Sequence, residues 1–171
     1  IHVSDRPLED CILSTAWCCY RKELAPRVFK VSESLYPRIN DIRRIGTAAV
    51  ELSMLAEGAV DLYFEIRLSP WDHAAALTCV KAAGGVFRGI EDDVWFDRPS
   101  PVLAANTEKN LDALLDTVSD AFGGRTPYRS GTEARAAFVR IRSYSFIIDR
   151  ERIRARFTAL KSRRPEGIGY V

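Results

Sequence analysis

Apolar residues along this chain follow two rhythms, one of short runs and one of helical spacing. Residues 11–17 form a short apolar run bounded by charge and read as a strand. Residues 23–36 place Leu24, Val28, Val31 and Leu35 on one helical face, with Pro26 tolerable in the first turn and Pro37 marking the end. Residues 47–57 form a second helix between Gly46 and Gly58, and its charges are Glu51 and Glu57. Residues 60–66 read as a strand. Residues 72–83 form a third helix in which Thr78 and Lys81 are the polar positions after His73. A helix so apolar on all sides is expected to be buried. Short strands are expected at 86–87, 94–96 and 102–105. Residues 107–122 form the clearest amphipathic helix, with Leu111, Leu114, Leu115, Val118 and Phe122 on one face and Asn106 or Thr107 as cap. This alternation predicts an α/β fold, a layered sandwich of helices packed on a mixed β-sheet. Further on, residues 138–148 suit a strand and 149–160 a helix.

The 171 residues are enough for one domain with a sizeable core. With 47% hydrophobic and 28% charged residues, the chain is of globular type. No apolar run reaches membrane-spanning length, and no signal-peptide pattern opens the chain. It opens on Ile1, which suits either a fragment or a processed product. Cys11, Cys18, Cys19 and Cys79 lack zinc-binding spacing and read as reduced thiols of a cytoplasmic protein. The net charge of +2 hides an asymmetry: 13 basic and 19 acidic side chains in residues 1–122, against 12 and 4 in residues 123–171. The shift coincides with Gly123-Gly124, so we expect a domain over 1–122 and a basic, arginine-rich extension over 123–171. That extension contains no nucleic-acid-binding module, and nucleic acid is not an expected partner.

Candidate chemistry gathers near the third helix. At its start, Asp72 is either a cap for free N–H groups or a ligand held out to a site. Glu65 is either an exposed strand-end charge or a hydrogen-bond acceptor for hydroxyl groups. Gly46, Thr47 and Ala48 are an ordinary helix start or a turn allowing close approach to a ligand. Trp71 and His73 are expected to pack beside the site. Asp92 and Asp93 read as a solvated turn.

Arg44, Gly46-Thr47-Ala48-Ala49, Gly58, Asp61, Tyr63, Glu65, Trp71-Asp72 and Gly84-Gly85 stand in an order and spacing that resemble the C-terminal half of the inositol monophosphatase family. The clear resemblance covers residues 40–122. It implies a magnesium-dependent phosphomonoesterase acting on inositol monophosphate or a related sugar or polyol phosphate, and a homodimer. It further implies that Asp72 supplies a carboxylate to Mg2+, and that Glu65 and the Gly46-Thr47-Ala48 turn bind substrate hydroxyls. The family's other metal ligands, an earlier Glu and a DPxDGT-type segment, do not occur in these residues, so no catalytic residue is assigned. The expected activity is that of an incomplete part of a phosphatase. The alternative is a non-catalytic family member acting in binding or assembly.

Overall fold

The computed structural model describes residues 1–17 and 21–123. The strand expected at 138–148, the helix at 149–160 and the whole basic extension beyond Gly123 lie outside the described residues. Five strands form one sheet: β1 (Ile12–Thr15), β2 (Asp41–Arg43), β3 (Leu62–Leu68), β4 (Val86–Arg88) and β5 (Ser100–Ala105), in the order β2-β1-β3-β5-β4. β1 pairs parallel with β2 and β3, while β5 runs antiparallel to β3 and β4. The sheet is therefore mixed, as expected.

Helices α1 (Ala25–Leu35) and α4 (Glu108–Phe122) cover one face, packing Val28, Val31, Leu35, Leu111, Leu114 and Val118 against Leu13, Phe64 and Leu103. Helices α2 (Ala48–Ala56) and α3 (Pro70–Ala82) cover the other, with Leu52, Leu55, Leu77 and Val80 against Tyr63, Val102 and Ala104. Two-residue alternation along the strands sends successive side chains into the two cores. α4 starts where the Thr107 hydroxyl accepts from Asn110 N–H at 3.2 Å, and it ends on Gly123 in the left-handed region at φ 68°. No helix among the described residues is long and apolar enough to cross a membrane.

Several expectations need correction. Residues 94–96 form no strand; they belong to the loop joining β4 to β5, where the Arg98 guanidinium lies 4.4 Å from the Trp95 ring centroid. β2 was not expected, because its three residues carry two charges. α3 begins at Pro70 rather than Asp72. Nor is it buried on all sides: His73, Ala76, Leu77 and Val80 face inward, whereas Ala75, Thr78 and Cys79 are exposed. The reason is geometric. One sheet covers one side of a helix, and nothing among the described residues covers the other. Trp71, expected to pack, is 82% exposed.

The edge opposite the helix starts is closed by residues 1–11. Val3 N–H donates to Ala83 O at 3.0 Å. Arg6 pairs with the fully buried Asp61, at 2.8 and 3.0 Å to its two oxygens. Asp61 also accepts from Ser4 Oγ and, at 2.8 Å, from Ile12 N–H. Asn106 and Asn110 donate to Arg6 O at 3.1 and 3.0 Å.

Candidate functional site

β1, β2 and β3 point their C-terminal ends toward one edge, and α2 and α3 both begin there. In open α/β sheets this is the edge where ligands collect. Two helix N-termini bring their positive dipole ends to it.

β3 delivers Glu65. Between Glu65 and Leu68 its register against β5 slips, so three steps on β3 match two on β5. This bulge changes the face on which later side chains lie. Phe64 and Ile66 enter the α1/α4 core, but Leu68 enters the α2/α3 core, which strict alternation would deny it. Glu65 itself lies on the Tyr63 side, and the Tyr63 hydroxyl donates to Glu65 Oε2 at 2.8 Å. Burial pushes the Glu65 carboxyl up to about 7. The Tyr63 hydrogen bond and Arg44 act against that rise, while the negative charges of Glu51 and Asp72 add to it. Burial, with the Glu65 charge behind it, drives the Tyr63 phenol strongly upward, so it stays a donor.

α3 delivers Asp72 from its first turn. Ser69 is the helix cap and Pro70 the first helical residue. Asp72 stands at the third helical position, where its Oδ2 accepts from Ser69 N–H at 3.1 Å. That is the carboxylate half of a capping box. One oxygen is thus engaged by the chain's own backbone. His73 beside it is fully buried, meets the Phe96 ring edge-on at 5.5 Å, and finds no hydrogen-bond partner for either ring nitrogen among the described residues. Burial lowers its basicity, and Asp72 partly opposes this.

α2 delivers the Gly46-Thr47-Ala48 turn. Gly46 sits at φ 96°, a conformation that favours glycine. Thr47 is the cap by position, but its side chain makes no capping hydrogen bond. The Gly46 N–H is not open to a ligand, which corrects the idea that it could meet one. It donates to Glu51 Oε1 at 3.1 Å, and Ile45 N–H donates to the same oxygen at 2.8 Å. Glu51 is fully buried and was missed in the sequence, where a charge in a helix reads as solvent-facing. Its spacing, four residues after a cap in an otherwise apolar helix, was the available signal. Asp92 and Asp93 are exposed in the β4–β5 loop, away from any strand.

The donors suit a hard cation in kind, since Glu65 and Asp72 offer carboxylate oxygens. They do not suit it in number. Among the described residues no group of three or more His, Cys, Asp or Glu side chains is placed to hold a metal ion.

A model of the inositol monophosphatase family matches residues 1–121. The Nus factor SuhB of Escherichia coli strain K12 is 40% identical over 119 residues, which cover 68% of this chain and 45% of the relative. The Vibrio cholerae SuhB is 35% identical over 118 residues, covering 67% and 43%. Among solved structures, the SuhB extragenic suppressor protein of Bartonella henselae superposes with a TM-score of 0.62 at 29% identity, covering 68% of this chain and 45% of its own. An inositol monophosphatase from Anabaena superposes with a TM-score of 0.60 at 28% identity, covering 70% and 48%. The chain spans less than half the length of these relatives and corresponds to their C-terminal half. It belongs to the inositol monophosphatase family.

Proposed function

We propose that this chain is the polyol-binding half of a magnesium-dependent phosphomonoesterase acting on inositol monophosphate or a related sugar phosphate. The observation that carries this reading is the convergence of Glu65, Asp72 and the Gly46-Thr47-Ala48 turn on the edge where α2 and α3 begin. Glu65 would accept hydrogen bonds from substrate hydroxyls through the oxygen that Tyr63 leaves free. Thr47 and Ala48 would border the same substrate. Asp72 would give its remaining acceptor capacity to Mg2+, as one ligand of a site completed by carboxylates outside these residues. Because the donors among the described residues are too few, no chemical step is assigned to them alone. Family kinship further supports a homodimer and a cytoplasmic setting as parts of this proposal.

A second reading, a non-catalytic member serving binding or assembly, draws on the name Nus factor borne by relatives at 33–40% identity. One experiment separates the two. The chain is joined to the N-terminal half of the Escherichia coli relative and assayed with inositol 1-phosphate and Mg2+. Magnesium-dependent turnover, cut at least about tenfold by Asp72→Asn, is expected. A folded hybrid that binds Mg2+ without turnover supports the second reading. Full activity in the Asp72→Asn hybrid shows that Asp72 is a helix-capping residue alone.

A further inference from the structure

Two successive N–H groups that converge on one point form a concave anion seat. Ile45 and Gly46 make such a seat at the site edge, with Gly46 at φ 96° turning the backbone so that both N–H groups reach Glu51 Oε1. A Cβ built on Gly46 would meet nothing within 4 Å, so glycine is required here for backbone conformation and not for space. The occupant is an internal one. Glu51 comes from the first turn of α2, where the helix dipole favours a negative charge. It is 0% exposed, and its second oxygen has no partner among the described residues.

We propose that Glu51 is a positioning and specificity-determining residue: it fills the Ile45–Gly46 anion seat, fixes the turn that borders the site, and keeps a ligand's phosphoryl group out of that seat. A negative charge already in place repels a second anion across a few ångströms of partly dry protein. Asp72 adds to the repulsion from the neighbouring helix: its charge and that of Glu51 both reach Glu65, where Arg44 offsets them. The turn is thereby left to meet neutral hydroxyls. This inference rests on the reading of the edge as a ligand site and goes beyond it, since it states which part of the ligand the turn rejects.

Through-hydrogen-bond NMR couplings test the assignment in the unaltered chain. Couplings from the Ile45 and Gly46 amide nitrogens to the Glu51 carboxyl carbon are expected, and their absence overturns the proposal. Glu51→Gln keeps an oxygen acceptor and is expected to keep both amides protected from exchange. Glu51→Ala is expected to lose that protection and to open the seat. Inorganic phosphate, followed by shifts at the two amides, is then expected to bind Glu51→Ala at least about tenfold more tightly than wild type. Equal phosphate binding by the two proteins overturns the exclusion. If Glu51→Ala does not fold, the wild-type couplings and the Glu51→Gln amides still decide the positioning role, and phosphate shifts at these amides in wild type overturn exclusion directly. Phosphatase turnover enters none of these readouts, so loss of the enzymatic reading and loss of this one are separate outcomes.

Discussion

Glu65 shows how one carboxyl reports its surroundings. Its ordinary value is 4.5 and burial lifts it to about 7. Between those values the folded chain holds a proton that the unfolded chain has released. Stability from this group is therefore complete below pH 4.5 and is lost as pH rises through 7, by up to about 3 kcal/mol. Urea unfolding at pH 5 and pH 8 should show that loss in wild type and a smaller one in Glu65→Gln. Equal pH dependence in the two would remove Glu65 as the cause. The family resemblance singled out Glu65 and Asp72 in the sequence, since on their own the two read as readily as a strand-end charge and a helix cap. Their surroundings were not legible there. The sequence Ser69-Pro70-Trp71-Asp72 does hold a capping-box pattern, so the true start of α3 at Pro70 was readable two residues earlier than Asp72. The Tyr63 bond and the Glu51 contacts needed the fold, since both join side chains through three dimensions.

At the scale of elements, helical periodicity identified α1 and α4, whereas α2 and α3, apolar nearly all round in sequence, were identified by composition and by Gly58 and Gly84-Gly85 at their ends. Pattern failed where an element is short and polar, as in β2, or where register slips, as at the β3 bulge. A bulge has no hydrophobic signature: Ile66, Arg67 and Leu68 read as simple alternation. The strap of residues 1–11 was equally silent, being held by polar contacts instead of an apolar rhythm. Its strength can be measured. Asp61→Ala would leave Arg6, Ser4 and Ile12 N–H without their acceptor and should cost about 1–3 kcal/mol in denaturant unfolding, because the Arg6 side chain is 41% exposed and water can solvate it. Gly58→Ala attacks the same strap from the turn that follows α2. Gly58 sits at φ 76°, and a Cβ there would stand 3.1 Å from Ser4 N and 3.3 Å from His2 O. It should cost at least about 1–2 kcal/mol and speed hydrogen exchange at Val3. Unchanged exchange at Val3 would show that the strap yields without breaking.

At the scale of the molecule, both layers of helices leave apolar side chains exposed: Phe29, 52% exposed, on α1, and Val50, 48%, and Trp71, 82%, on α2 and the start of α3. Val50→Lys should change stability by less than about 0.5 kcal/mol, since it removes no buried contact. Leu77→Ala, about two turns along α3 and fully buried, should cost about 2–5 kcal/mol. Parallel thermal unfolding of the two variants checks both figures. The strap and the site lie at opposite ends of the sheet, and this separation has an evolutionary consequence. Substitutions around Gly46, Glu65 and Asp72 can alter what is bound without loosening Asp61 and its partners. The end that holds the fold shut can stay constant while the other end drifts toward a new ligand, or toward none, and such a lineage would keep its shape after losing its chemistry.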